Sequence, residues 1–319
     1  MRKGRRRGTG HTIYGSHGRV SLALVGARER GGYGVRIGIG LPNPIPGTEG
    51  EVLLQWATRA EESGFSSLAT IDRIVYPSYD SLISLAGAAA VTERIGLLTN
   101  ILIAPLRDAV LLAKEAASVD RLSGGRLTLG LAVGARRDDF EAVGDGYGSR
   151  GRRFERQLQA MLELWRGQQL SNSGHASVPL PGRELPILIG GSEDEAVERA
   201  VRFGDGYTAG GAPPEAVGPF LQRTRELWRE AGRSGEPRLV ALGYFALGPQ
   251  AEDGSARYLK DYYAYLGEWA DRIAESAPTT PEALKDLAGR FEDIGVDELI
   301  FDPTIAELDQ IDRLAEVML

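Results

Sequence analysis

Residues 104–134, APLRDAVLLAKEAASVDRLSGGRLTLGLAVG, hold a complete helix-to-strand unit. Pro105 closes the strand before it, because it has no N–H for a ladder. From Asp108 to Leu122, Ala109, Leu112, Ala116 and Val119 recur at helical spacing and share one inner face. Ser123-Gly124-Gly125 stops that helix, and Arg126–Val133, RLTLGLAV, reads as a short buried strand.

The same alternation extends in both directions. Toward the N-terminus lie strands at Ile95–Ile103, Ser67–Ile71 and Val35–Gly40. Between them are an alanine-rich helix at Ser81–Thr92 and a helix at Glu49–Ser63. The latter carries the stripe Val52, Leu53, Trp56, Ala57 and Ala60, and Gly64 ends it. Toward the C-terminus come helices around Asp138–Val143 and Arg152–Arg166, then a stretch without period at Gln168–Glu184 that reads as an inserted loop. Strands follow at Leu185–Ile189, Asp205–Ala209, Arg238–Leu247 and Glu298–Phe301. Helices are expected at Glu193–Phe203, Pro214–Ala231, Ala251–Ala277, Thr280–Ile294 and from Ile305 to the end.

Eight such alternations argue for a parallel sheet, and eight units close naturally into a (β/α)8 TIM barrel. An open doubly wound sheet is the rival, but no G-x-G-x-x-G follows the first strand. With no internal repeat or low-complexity linker, residues 34–319 are expected to form one barrel with insertion loops at its C-terminal face.

Composition excludes several chemistries. There is no cysteine, so disulfides, thiolate metal sites and cysteine nucleophiles are absent from the 319 residues. The three histidines, His11, His17 and His175, are too few and too scattered for a histidine metal site. No G-x-S-x-G elbow and no P-loop occur. A lyase or aldolase barrel would want a lysine or metal at a strand end, and no strand ends in lysine.

The net charge is −7, yet residues 1–31 carry Arg2, Lys3, Arg5, Arg6, Arg7, Arg19, Arg28 and Arg30 against Glu29 alone. The body is therefore strongly acidic, which argues against nucleic acid as a partner. The basic head, residues 1–33, could be a nucleic-acid arm, a signal peptide or a loose leader. Glycines and two histidines separate its arginines from the apolar stretch Val20–Ala27, which favours the loose leader. No run reaches a membrane span, and the expected location is the cytoplasm.

Three segments carry a resemblance. Ala104–Gly134, Leu185–Tyr207 (LPILIGGSEDEAVERAVRFGDGY) and Ala60–Arg73 (AEESGFSSLATIDR) resemble, in order and spacing, the luciferase-like monooxygenase family. The resemblance spans about residue 35 to the C-terminus. It implies a barrel oxidoreductase using FMN or the deazaflavin coenzyme F420. In the FMN reading, reduced FMN and O2 oxidise a small organic substrate, with the flavin reduced by a separate reductase, and the enzyme is a homodimer. Coenzyme F420 would instead transfer a hydride. A flavin-binding protein that has lost its substrate pocket is a third reading.

The resemblance also assigns residues. Gly190, Gly191 and Ser192 follow a strand and open a helix, where backbone N–H groups favour a phosphate. Ser192 could equally be a plain helix cap. Ala132, Val133 and Gly134 match the position beside the ribityl-phosphate arm. Arg136 could neutralise the phosphate, and with Arg137, Arg150, Arg152 and Arg153 it could form a basic groove for the anionic tail of coenzyme F420. Asn100 and Ile101 match a bulge that often holds a non-proline cis peptide beneath the ring.

Asp72, Arg73 and Asn100 are the catalytic candidates. Arg73 and Asp108 stand where many relatives carry histidine, which puts a histidine-assisted mechanism in doubt, and Asp72 could simply anchor its loop. Arg107 could bind an anionic group of the substrate. Tyr258, Tyr262 and Tyr265 share a helical stripe, which is either packing or a lid over the substrate, with Tyr262 the substrate-contact candidate.

Overall fold

The apolar runs become eight short parallel strands, each followed by at least one helix. The computed structural model describes residues 34–170 and 174–319. The basic extension 1–33, with His11 and His17, lies outside the described residues. The order is β1 (Arg36–Gly40), α1 (Gly50–Ser63), β2 (Ser67–Thr70), α2 (Ser81–Val91), β3 (Gly96–Ile103), α3 (Ala109–Leu122), β4 (Leu127–Ala132), α4 (Arg137–Ala142) and α5 (Arg150–Trp165). It continues with β5 (Ile187–Gly190), α6 (Asp194–Phe203), β6 (Gly206–Thr208), α7 (Pro214–Glu230), β7 (Arg238–Phe245), α8 (Ala251–Tyr262), α9 (Glu268–Ser276), α10 (Pro281–Asp293), β8 (Glu298–Pro303) and α11 (Asp309–Met318). All strands pair in sequence order and the sheet closes on itself. The closing seam sets Arg36 beside Glu298 and Ile39 beside Phe301.

Alternation along each strand divides the core in two. Leu68, Leu97, Leu129, Ile189, Leu239 and Phe301 face outward and pack under the helices with Trp56, Ala116, Phe154 and Val197. Ala69, Leu98, Leu188, Val240 and Ile300 face inward and fill the middle of the barrel. The layer below is polar. There Glu298, fully buried, accepts from Ser66 Oγ at 2.6 Å and Ser67 Oγ at 2.7 Å. It pairs with Arg238 at 2.6 Å and Arg36 at 3.0 Å. The layer above, at the carboxyl ends of the strands, forms the mouth where barrels do their chemistry.

Two helical expectations are corrected. Ala251–Ala277 is not one helix. α8 stops at Tyr262, a 3-10 turn spans Ala264–Leu266, and Gly267 at φ +58° redirects the chain into α9. The last helix starts at Asp309 and not at Ile305, because Thr304 is held to the strand end by its N–H and hydroxyl, both donating to the Phe245 carbonyl at 3.0 Å. The described part of Gln168–Glu184 forms no helix or strand. No described helix is long and apolar enough to cross a membrane.

Candidate active site

The third strand carries an irregularity at its upper end. Its register against β4 slips between Thr99 and Leu102, and the Asn100–Ile101 peptide is cis, at the bond singled out in the sequence. The bulge is tied to β4 through Thr99. Its hydroxyl donates to the Gly130 carbonyl at 2.8 Å and accepts from the Gly130 N–H at 2.9 Å. Asn100 turns inward and is buried. Its Oδ1 accepts from Thr208 Oγ1 at 2.7 Å, while its Nδ2 has no partner among the described residues. A buried donor without an acceptor is costly unless a ligand meets it.

The ends of β4 and β5 complete this arc. Ala132 stands beside Ile103 on one side and Gly190 on the other. A side chain at Gly190 would put its Cβ 2.4 Å from Ile101 Cδ1 and 2.9 Å from the Thr208 carbonyl, so only glycine leaves the backbone bare here. Gly134, at φ +77°, turns the chain after Val133. The first turn of α6 has Glu193 as its N-cap, with no side-chain cap bond. The cap reading of Ser192 is thus corrected: the helix begins at Asp194, one residue later than a Ser192 cap requires, and no side-chain cap bond is made. Asn100, Ile101, Ala132, Val133, Gly134, Gly190, Gly191 and Ser192 therefore occupy adjacent strand ends. Beyond Ser192, a cavity of about 520 Å³ is lined by Glu193, Asp194, Glu195, Glu198 and Phe220.

The arginines are placed otherwise than expected. Arg107, the candidate for an anionic substrate group, grips Asp72 through both terminal nitrogens, at 2.7 and 2.9 Å, and reaches Asp80 at 2.9 Å. Its charge is already met by two carboxylates. Asp72 also accepts from the Ile103 N–H at 2.8 Å, so both its oxygens are engaged and it anchors the loop. Asp108 caps α3, accepting from the Val110 and Leu111 N–H groups. Arg136, the phosphate candidate, is paired with Asp138, donates to the Tyr262 carbonyl and lies 4.2 Å from the Tyr265 ring centre. It ties the α8 end to α4. Arg150 donates to the Gly134 and Tyr147 carbonyls, Arg153 meets Asp145 and the Pro105 carbonyl, and Arg137 stacks on Tyr147.

Arg73 is different. Its Nε donates to Asp139 at 3.1 Å, and its guanidinium lies 5.5 Å from the Tyr76 ring centre and 5.4 Å from that of Tyr262. Nη1 is buried with no acceptor among the described residues. Asp139 also accepts from the Ile74 and Val75 N–H groups, so the Arg73 loop is docked on α4.

The opposite arc of the mouth is aromatic. Tyr258 and Tyr262 are buried from α8 and pack with Ile71, Leu242 and Tyr244, while Tyr265 falls in the 3-10 turn and is 45% exposed. The expected three-residue stripe is thus cut to two, because α8 ends first. Tyr263 takes the third place, its hydroxyl 2.6 Å from that of Tyr244, with ring contacts of 5.0 Å between Tyr262 and Tyr263 and 5.1 Å between Tyr262 and Tyr76. Burial pushes the Tyr244, Tyr258 and Tyr262 phenols well above their ordinary range.

Asp302 was missed in the sequence. It sits in β8 opposite Tyr244, two residues above the inward-facing Ile300. It is fully buried, and neither carboxyl oxygen has a partner among the described residues. Burial alone raises this carboxyl well above the usual carboxylate range. A signal existed, since inward alternation from Ile300 reaches Asp302. Among the described residues no cluster of three His, Asp or Glu could hold a metal.

The mouth thus has a glycine-lined arc with an unmatched Asn100 donor, facing an aromatic arc with an unmatched acid. Related proteins share the frame. An uncharacterised protein of Mycobacterium tuberculosis is 28% identical over 222 residues, covering 60% of this chain and 77% of its own. The oxygenase component of a flavin-dependent trigonelline monooxygenase from Acinetobacter baylyi is 26% identical over 264 residues, covering 69% and 72%. A solved F420-dependent secondary alcohol dehydrogenase superposes with a TM-score of 0.74 at 17% identity, over 89% of this chain and 98% of that one. At that identity the likeness speaks for the fold alone. The profile of the luciferase-like monooxygenases matches residues 36–301, from the first barrel strand into the last. The barrel with its irregular third strand therefore belongs to a chain of the luciferase-like monooxygenase family.

Proposed function

We propose that this protein is an FMN-dependent monooxygenase that oxidises a small organic substrate with O2, receiving reduced FMN from a separate flavin reductase in the cytoplasm. The observation that carries the choice of FMN over coenzyme F420 is the charge beyond the phosphate position. Glu193, Asp194, Glu195 and Glu198 line the cavity next to Ser192. Of the arginines that could have built a basic groove, Arg136, Arg150 and Arg153 are committed to carboxylates or carbonyls. A long anionic tail would run into like charge, whereas a single phosphate needs only the Gly190–Ser192 backbone and the first-turn N–H groups of α6. A reductase partner agrees with the relative that is named as an oxygenase component.

In this reading Asn100 Nδ2 would donate to the polar edge of the flavin ring, and Ala132–Gly134 would wall its arm. The bound reduced flavin supplies the electrons with which O2 is activated. The protein orients the substrate and keeps water out, the latter through the tyrosines over the mouth. Arg73 Nη1, Tyr258 Oη and, on the same helix α8, Ser255 Oγ are further buried polar atoms with no partner among the described residues.

The test is side-by-side binding of FMN, reduced FMN and coenzyme F420 to the purified chain. Either form of FMN is expected to bind at micromolar concentration or below, and coenzyme F420 at least about tenfold more weakly, a difference of about 1.4 kcal/mol. Preference for coenzyme F420 would convert the proposal to hydride transfer. Flavin binding without substrate-stimulated O2 consumption would leave a flavin-binding protein.

The homodimer belongs to the same proposal. Ile83 on α2 and Leu111 and Leu122 on α3 are 73%, 58% and 72% exposed around a groove of about 510 Å³. So much apolar surface on two neighbouring helices suits a second copy of the chain. The wild type is expected to sediment as a dimer and the Ile83→Asp/Leu122→Asp variant as a folded monomer. A wild type that sediments as a monomer removes the dimer from the reading.

A further inference from the structure

Two carboxyl groups sit four residues apart on the inner face of β8 with opposite surroundings. Glu298 has four partners, two of them arginines. Asp302 has none, although both its oxygens are buried. Its neighbours are the Gly40 backbone on β1, where a Cβ would lie 1.9 Å from Oδ1, and Tyr244, the residue paired with it on β7. Tyr258, Tyr262 and Tyr263 lie within electrostatic range. No cation among the described residues hydrogen-bonds to it. Arg73, which borders the same tyrosines, donates to Asp139 through Nε and to the Val75 carbonyl through Nη2, and its unmatched Nη1 makes no hydrogen bond to Asp302.

Folding does not use this group, since a leucine would fill the place without an unmatched polar pair. Nor does it lie with the flavin residues, which occupy β3, β4 and β5, across the mouth from β7, β8 and β1. A carboxyl in such a place, uncompensated by any positive charge, stays protonated, because an isolated buried carboxylate is far more costly than its acid. A carboxylic acid offers one O–H donor and one carbonyl acceptor side by side. The complement of that pair is a planar edge with an N–H next to a C=O. A carboxylic-acid ligand would have to surrender its charge to pair in the same way. The rings of Tyr244, Tyr258 and Tyr262 supply flat apolar walls beside the acid.

We propose that Asp302 is the specificity-determining group of the substrate subsite, and that it takes an amide or lactam edge through two hydrogen bonds. This rests on the mouth being an oxidoreductase active site, and the tyrosine roof must shift to admit the ligand. Substrates with that edge are held against the β8 side of the mouth, with the rest of the ring toward the β3–β5 arc. A cationic substrate would instead need Asp302 ionised.

Three ring compounds of similar size separate these cases. 2-Pyridone has both N–H and C=O, N-methyl-2-pyridone lacks the N–H, and N-methylpyridinium is a cation without C=O. Their binding to the full chain is measured by titration calorimetry, first without flavin. A failure of FMN to bind, which would remove the monooxygenase reading, thus leaves the result at Asp302 legible.

The wild type is expected to bind 2-pyridone about tenfold more tightly than N-methyl-2-pyridone, the worth of one buried hydrogen bond. Asp302→Asn, which keeps a donor beside an acceptor, should retain that preference, and Asp302→Leu should abolish it. Cooperative thermal unfolding of each variant confirms that it is folded. The proposal is overturned if the Leu variant keeps the preference, if 2-pyridone does not bind the wild type, or if N-methylpyridinium binds best and loses affinity in Asp302→Asn.

Discussion

Replacing Glu298 by alanine is expected to lower the free energy of unfolding by about 2 kcal/mol, because it removes the fully buried carboxylate to which two arginines and two serine hydroxyls donate. The carboxylate lies at the barrel seam, joining Arg36 of β1 and Arg238 of β7 to β8 and closing on Ser66 and Ser67 at the start of β2. Burial pushes its pKa up, but Arg238, Arg36 and the two serine hydroxyls outweigh burial and bring it to about 2. The folded value is below the unfolded one. The stabilisation is therefore complete above the ordinary carboxylate value and is lost as pH falls through about 2. Urea unfolding of the wild type should show a midpoint that declines as pH is lowered through that window. Glu298→Gln, which has no such proton to take up, should lack that part of the decline. A midpoint change in Glu298→Ala no larger than that of a surface substitution, about 0.5 kcal/mol, would show that the seam does not depend on this charge. Function enters only indirectly, since the group lies at the foot of the barrel, far from the mouth.

Gly130→Ala is expected to damage both the fold and cofactor binding. The added Cβ would lie 2.1 Å from the Thr99 carbonyl oxygen, a backbone atom that cannot swing aside, and 3.5 Å from Thr208 Cγ2. Thr99 and Gly130 exchange two hydrogen bonds that hold the β3 bulge, and Thr208 holds the Asn100 side chain. Forcing these strands apart should cost about 2 kcal/mol of stability, in the range for overpacked cores. On the proposed reading it should also weaken FMN binding by at least about tenfold, since Asn100 would no longer be held where it is proposed to meet the ring edge. Gly289→Ala serves as the control. It lies on α10 with nothing within 4 Å of the added Cβ, and it should bind FMN as the wild type does. Equal binding by the Gly130→Ala and wild-type proteins would show that the bulge does not position the cofactor.

Much of the fold was legible because the signals are local. The Ala104–Gly134 stretch shows a helix stripe, a Ser-Gly-Gly stop and an apolar strand within 31 residues, and the structure has α3 and β4 there. Each of the eight strands lies where an apolar run was read, within two or three residues at its ends. The glycines of the mouth were visible as well, because Gly134, Gly190 and Gly191 stand at strand ends followed by helices. The breaks were less visible. Nothing in the tyrosine-rich run showed that α8 would stop at Tyr262, since a glycine such as Gly267 can sit inside a helical pattern or end it.

Side-chain pairing was not legible, and it decided the site. Arg107 looked like a free cation in a loop, but Asp72 lies 35 positions away in sequence and grips it. Arg136 looked like a phosphate ligand, but Asp138 and the end of α8 claim it. Asp302 lay just beyond the strand read as Glu298–Phe301 and was passed over, and the tyrosines that bury it come from β7 and α8. The sequence by itself determined the eight repeating units, the barrel they close into and the glycine-bare strand ends, because periodicity and chain reversal are properties of neighbouring residues. Only the tertiary structure decided which polar groups are satisfied and which stand without a partner among the described residues. Barrel closure brings together groups up to 262 positions apart, as with Arg36 and Glu298, and the energy of a charge depends on what surrounds it there.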